Sequence, residues 1–454
     1  MGILRVEGEI ACRLLACPGL RAVPVVFRED GVLLALSPDD VTRIFAARSK
    51  AASQEARLRI AREPTASPNI APSVPAGQLS TILGARIRAG LRRAARAGLA
   101  RMPAPMREDM RAILLHSRQI LRTAVTRGTR PSAGRTCHSG ILPTLRMVVH
   151  TGPGDVLWTA GLYSNLVPLR TIAELRARTG LRVVATCLDL IRVTHPQFNP
   201  RDMARELFHG DAVALLDASD LVLAISEASR RELLGFAKRA GRVAPPIQVL
   251  QLGIDFAARE VRPAADPPAA PHGFPPHRFA LAVGTVEPRK NYALLVRVWE
   301  RLAADPAFQL DLVIVGGPGY GAEECVAQVE RSPVFGSRIR WLESCPDAML
   351  RHLYEACHFV LCPSFTEGWG LPVAEALSFG RHVIASNRGA IPEAAQGLAQ
   401  LLDPEDEAGW LAAIAAAAAA PRKTVVPANP RSWEAAAASV AAALRPLMKT
   451  DHAA

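Results

Sequence analysis

Short apolar runs alternate with amphipathic stretches along the second half of the chain. Residues 279–283 predict a strand, and Leu294, Leu295, Val298 and Leu302 share one face of a helix that starts after Asn291. The same unit recurs downstream. Residues 312–315 run into Gly316-Gly317-Pro318-Gly319, 339–342 precede a helix around 349–356, and 359–361 feed a glycine-rich turn. Residues 382–385 lead to Ser386-Asn387-Arg388-Gly389-Ala390, and 398–402 precede an alanine-rich run, 412–420, that predicts a helix because alanine is the best helix former. Strands alternating with helices in this way predict a parallel sheet. Ligands of such sheets bind beyond the carboxyl ends of the strands, where Lys290, Gly316, Glu343 and Glu367 fall.

The first half repeats the alternation more weakly. Apolar runs at 147–149, 181–186, 221–225 and 247–250, with helical stretches such as 229–238, predict a second α/β domain. Residues 261–276 carry too many prolines for a helix or a central strand and read as a linker. The predicted organisation is an N-terminal domain over 1–260, the linker over 261–276, a C-terminal domain over 277–430, and a final helix and tail over 431–454.

Charge adds one feature to this layout. The net charge of +12 implies an anionic partner, and arginines crowd residues 84–135, from Arg86, Arg88, Arg92, Arg93 and Arg96 to Arg130, against only Glu108 and Asp109. That stretch has no aromatic residue, so it lacks the stacking platforms of single-strand nucleic acid binders; an anionic membrane surface fits it better, and a solvated, solubilising insertion fits equally. No apolar run is long enough to span a bilayer, and Glu7 comes too early for a secretory signal, so the expected location is the cytoplasm or the inner face of its membrane. The eight cysteines form no Cys-x-x-Cys pair and are expected to be reduced and mostly buried.

Candidate chemistry concentrates in residues 364–375. Glu367 and Glu375 flank a glycine-rich turn that opens a helix, with Pro372 where a missing amide hydrogen is tolerated. A helix N-terminus carries roughly half a positive charge and unpaired amide donors, so a diphosphate can settle there while carboxylates accept hydrogen bonds from sugar hydroxyls. Together, Glu367-Gly368-Trp369-Gly370-Leu371-Pro372 and Glu375 resemble the signature of retaining glycosyltransferases of family 4, which have the GT-B fold. Residues 283–291, with Thr285, Arg289 and Lys290, resemble that family's phosphate-binding strand-loop-helix.

The resemblance implies two Rossmann-like domains whose parallel sheets face a central cleft. It implies that Lys290 binds the donor's phosphate, with Arg289 a second cation compensating for Thr285, which stands where the family often has arginine. Glu375 would bind the donor ribose, and Glu367 the transferred sugar near its reacting face; Gly368, Trp369, Gly370 and Leu371 would hold the distal phosphate and sugar. Cations and a helix dipole would take the place of a metal ion, and no cofactor is implied. In the first domain, residues 186–196 resemble the family's His-Asp-Leu-Ile segment; Asp189 is kept as a catalytic candidate, but Leu188 replaces the histidine. Residues 1–7 resemble the start of the family's first helix, without the strand that precedes it. The implied activity is transfer of a sugar, with mannose the candidate, from a nucleotide-diphosphate sugar to a lipid-linked or polysaccharide acceptor. The alternative, supported by Leu188 and the missing strand, is a catalytically impaired homologue that binds nucleotide sugars or acts as a scaffold.

Overall fold

The computed structural model describes residues 2–27, 32–37, 57–59, 148–159, 161, 169–198, 202–253, 278–427 and 431–448. The basic segment, 84–135, and the linker, 261–276, lie outside the described residues. Helix α1 (Gly2–Leu15) is followed by an antiparallel pair, β1 (Val25–Phe27) and β2 (Leu33–Ala35), and then by a short strand, β3 (Arg57–Arg59).

The first sheet has four parallel strands in chain order: β4 (Val156–Thr159), β5 (Arg182–Cys187), β6 (Leu221–Ala224) and β7 (Ile247–Val249). Between them run α2 (Leu169–Thr179), α3 (Ile191–Thr194), α4 (Asp202–Ala218) and α5 (Glu227–Arg239). The sequence placed a strand at 147–149; instead Val148 makes a single antiparallel bridge to Leu34, and the strand forms at β4. The reason lies in a contact across the chain: Trp158 donates from Nε1 to Thr186 Oγ1 (3.0 Å), which anchors β4 along β5.

The second sheet holds β8 (Phe279–Val283), β9 (Asp311–Val315), β10 (Ile339–Ser344), β11 (Phe359–Cys362), β12 (Val383–Ser386) and β13 (Gln400–Leu402), all parallel, in the order β13-β12-β11-β8-β9-β10. Its strands are apolar on both faces because both are covered. Leu281, Val313 and Val360 pack into one cluster; Ala280, Ala282, Leu312 and Ile314 pack into the other, with Trp299 and Trp341 fully buried. The covering helices are α6 (Tyr292–Leu302), α7 (Glu323–Arg331), α8 (Asp347–Ala356), α9 (Leu371–Ser378), α10 (Ile391–Ala395) and α11 (Glu407–Ala419). A seventh strand completes this sheet: β3 pairs antiparallel with β10, so residues 57–59, inside the 1–260 stretch assigned to the first domain, extend the second sheet. Its sequence, Arg-Leu-Arg, is too short for periodicity to reveal a partner so distant in the chain.

Helix α12 (Trp433–Leu444) leaves the second sheet and packs against α1, with Arg13 Nε 3.2 Å from Glu434 Oε2. Seven cysteines are described and all are free; Cys187, Cys345, Cys357 and Cys362 are buried.

Strand order creates the position of the site. The chain starts the second sheet at β8, builds outward through β9 and β10, and returns to the other side of β8 with β11. The loops after β8 and β11 therefore leave adjacent strand ends in opposite directions and open a crevice, the usual ligand position in such sheets. The neighbouring turn at Gly316 needs glycine: its φ is +146°, and a Cβ there would fall on the carbonyl of Gly284. Gly316→Ala is expected to destabilise the protein by about 2 kcal/mol or more, read as a lowered midpoint in denaturant unfolding. An unchanged midpoint would show that this turn relaxes without cost.

Candidate active site

The loop after β8 presents two cations. Pro288–Lys290 form a 3-10 turn, and Asn291 follows in the left-handed conformation at φ 54°. The buried Asn291 side chain donates from Nδ2 to the carbonyls of Pro363 (3.3 Å) and Pro404 (3.0 Å), and the Phe365 amide donates to the Arg289 carbonyl (2.9 Å). Three loops at the strand ends are thereby tied together, with Arg289 and Lys290 held between them.

Glu367, on the loop after β11, closes the arrangement. Its Oε1 accepts from Lys290 Nζ (2.5 Å) and Ser364 Oγ (2.7 Å), and its Oε2 accepts from Arg289 Nη1 (2.7 Å). Arg289 also donates to the Thr366 carbonyl (2.8 Å) and, through Nη2, to Glu287 Oε1 (2.6 Å). Burial alone would raise the pKa of Glu367, but the charges of Arg289 and Lys290 and their hydrogen bonds outweigh it and bring it down to about 2. The four charges, two of each sign, balance within the cluster.

Next to this cluster, α9 begins. Gly370, at φ 103°, precedes Leu371 and Pro372, which with Gly368 and Trp369 line the cleft. Glu375 is buried in the same helix, and its Oε2 accepts from Tyr354 Oη (2.9 Å), which orients the carboxylate. The indole of Trp369 is 4% exposed, with the Arg431 guanidinium 5.7 Å from its ring centre, and its Nε1 donor has no acceptor among the described residues.

The facing wall belongs to the first sheet. Asp189 follows β5 and accepts from the Ile191 amide through Oδ1 (3.1 Å); burial pushes its carboxyl up in pKa, with Arg289 pulling the other way. Gly368 abuts it so closely that a Cβ would lie 2.8 Å from Asp189 Cβ. Burial and the Arg289 charge push His195 down, which favours the neutral ring. Phe198 stacks on Phe365 of the second sheet's loop at 5.6 Å. Leu188, in the position where a histidine was expected, is 6% exposed and packs in the core while lining the cleft.

The cleft between these walls has a volume of about 580 Å³. Asp189, Thr285, Arg289, Lys290, Glu367, Gly368, Trp369, Gly370, Leu371 and Glu375 all line it. Glu343 does not. Glu287, Arg192, Phe198 and Tyr320 line it and were not singled out from sequence; Glu287 stands inside the segment that carries Arg289 and Lys290, and Arg192 inside 186–196, whereas nothing local marks Phe198, Tyr320 or Tyr354. Among the described residues, no group of three or more His, Cys, Asp or Glu is arranged to hold a metal ion.

Residues 277–419 match the family described as glycosyl transferases group 1. The matched segment contains every second-sheet residue of the cleft. Among similar proteins, O-antigen chain mannosyltransferase B of Escherichia coli is 31% identical over 226 residues, 50% of this chain and 58% of that protein. A D-inositol 3-phosphate glycosyltransferase of Nocardia farcinica is 31% identical over 229 residues, 48% of each chain. The match thus spans 58% of the first relative's length, and 31% of that of the serotype-specific mannosyltransferase WbdA of Escherichia coli. Among solved structures, sucrose-phosphate synthase from Thermosynechococcus elongatus superposes with a TM-score of 0.51 at 24% identity, covering 64% of this chain and 73% of that one. Anabaena HepE, solved with UDP and glucose, superposes with a TM-score of 0.50 at 17% identity, covering 64% and 78%. The fold is GT-B.

Because the folded-state pKa of Glu367 lies below its ordinary 4.5, the stabilisation from this carboxylate is complete above about pH 5 and is lost as the pH falls through about 2. Unfolding midpoints should therefore drop over that acid range, and Glu367→Gln should flatten the drop. Parallel pH profiles for the two proteins would mean that Glu367 carries no such charge pairing.

Proposed function

We propose that this protein is a retaining glycosyltransferase of family 4 that moves a sugar from a nucleotide-diphosphate sugar to a lipid-linked or polysaccharide acceptor in cell-surface or exopolysaccharide synthesis. The observation that carries this reading is the meeting of Glu367, Arg289 and Lys290 at the switch point, beside the N-terminus of α9 and the oriented carboxylate of Glu375. Mannose is the candidate sugar, supported by the names of the relatives in Escherichia coli. Those names do not favour a non-catalytic homologue.

In the proposed reaction the bond from the anomeric carbon to the diphosphate oxygen breaks, and the nucleotide diphosphate leaves with the electron pair. A bond to the acceptor hydroxyl forms on the same face, and the acceptor's proton passes to the departing phosphate oxygen. Negative charge grows on the phosphate, where Lys290, Arg289 and the α9 dipole stabilise it without a metal ion or cofactor. The diphosphate draws Lys290 from Glu367, which turns toward the transferred sugar as its positive charge develops. Asp189 supplies a second carboxylate from the facing wall. Glu375, held by Tyr354, accepts from the donor ribose, and the buried Nε1–H of Trp369 donates to a phosphate or sugar oxygen.

Incubation with a panel of nucleotide sugars should release nucleotide, fastest with a mannose donor, and the rate should survive EDTA. Glu375→Ala and Lys290→Ala should each weaken donor binding about tenfold or more, since a hydrogen bond to a charged group contributes roughly 1.5–3 kcal/mol. Unchanged affinity in both variants by calorimetry would remove the assignment, and activity lost with EDTA and restored by magnesium would overturn the metal-free mechanism.

We place the protein at the inner face of the cytoplasmic membrane, docked by the arginines of residues 84–135. No helix among the described residues is long and apolar enough to cross a membrane. Each basic residue near an anionic surface contributes up to about 1 kcal/mol, so several suffice for reversible attachment. Co-sedimentation should require anionic lipid, fade with salt, and drop when Arg88, Arg92, Arg93 and Arg96 are changed together to Gln. Equal binding to neutral vesicles would refute the docking role.

A further inference from the structure

One carboxylate of the second sheet does its bonding entirely in the first. Glu393, in α10, accepts from the backbone amides of Glu227 (Oε2, 2.7 Å) and Ala228 (Oε1, 2.8 Å), the first two residues of α5. A helix leaves its first amides without partners in the helix itself, and carries partial positive charge there. The remaining amides of this turn are satisfied locally: Ser226 Oγ accepts from the Ser229 amide (2.9 Å), and the Ser226 carbonyl accepts from Arg230 (3.0 Å). Glu393 therefore supplies the half of the cap that α5 lacks, from a residue 165 positions away in sequence.

The bond sits in a chain of contacts that joins the two walls of the cleft. The Ser229 hydroxyl lies 3.3 Å from both the Leu188 and Gly368 carbonyls, so one side chain of the capped turn touches both walls. On the other side, the Ala390 amide, one residue before α10, donates to the Glu367 carbonyl (3.0 Å), and Gly389, at φ +60°, lies so close that a Cβ would be 2.8 Å from the Glu367 amide nitrogen. The path from Glu367 through Ala390 and Glu393 to α5, and back through Ser229 to Leu188 and Asp189, is continuous.

We infer that Glu393 is a positioning residue that latches the two sheets together, holding Asp189 and Leu188 at the distance from Glu367 and Gly368 that the cleft requires. Its effect on turnover rests on the proposed transferase activity; its effect on domain closure does not. Without the carboxylate, the two amides meet water and the walls separate. Donor binding, which relies on second-sheet residues, is left intact while transfer between the walls is impaired.

The test compares the wild type with Glu393→Ala and Glu393→Gln. Hydrogen exchange of the 227–228 amides should accelerate about tenfold or more in the Ala variant, less in Gln, which keeps one acceptor. Small-angle scattering should show a larger radius of gyration in the Ala variant, and kcat/KM for transfer should fall about tenfold while the dissociation constant for the free nucleotide diphosphate stays within about twofold. A merely misfolded variant would lose nucleotide affinity as well. Wild-type exchange rates in the Ala variant would overturn the latch, as would a loss of nucleotide affinity in step with transfer. Exchange and scattering need no turnover, so an inactive wild type would count against the proposed activity and leave the latch to be judged by these two measurements.

Discussion

Glu367 brings a full negative charge into a nearly closed space, and an isolated buried carboxylate would cost several kcal/mol unless it were paired and hydrogen-bonded. Lys290, Arg289 and Ser364 meet that requirement together, and in doing so they bind the loop after β8 to the loop after β11. The site geometry depends on this pairing, because those loops leave adjacent strands in opposite directions and nothing in the sheet itself joins them. Asn291 fastens the same crevice from below through the Pro363 and Pro404 carbonyls. A neutral residue at 367 would leave two cations facing each other beside the positive end of α9.

Charge balance also explains how a strongly basic chain can hold a cleft ready for an anion without repelling its own side chains. Glu287 and Glu367 fix the orientation of Arg289 and Lys290 through short ion pairs. In the proposed reaction, an entering diphosphate would exchange one set of anionic partners for another and the cations would need little reorganisation, which is the condition under which fixed charges stabilise a developing one most effectively. The opposite wall has a different character: it presents a half-buried Asp189, a His195 driven toward neutrality and the Phe198 ring, which stacks on Phe365 of the second sheet's loop. One wall is organised around paired charges and the other around a carboxylate, an imidazole and an aromatic ring.

Much of this was legible in the chain. The strands at 279–283, 312–315, 339–342 and 359–361 emerge within a few residues of their expected bounds, since strands buried on both faces leave uninterrupted apolar runs. The ten candidate residues line one cleft, because the loop positions that carry chemistry follow directly from where the strands end. The first sheet was harder to read. Its edge strand β4 is half-buried and held by a Trp158 to Thr186 bond that spans 28 positions, whereas the apolar run read as a strand lies at 147–149.

Local pattern and residue chemistry determined the α/β class, the strand-loop-helix units and the candidates on their loops, because periodicity and turn chemistry act over a few residues. Tertiary structure decided which loops meet, and with them the properties of the site. Only the strand order brings Glu367 to Lys290 across 77 positions, sets its pKa near 2, and adds a strand from residues 57–59 to a sheet built mainly from the other end of the chain. Only the approach of the two sheets turns Glu393, an unremarkable acid in a five-residue helix, into the cap of another helix. Pairing energies of this kind depend on distance and burial, and neither is encoded within any short window of sequence.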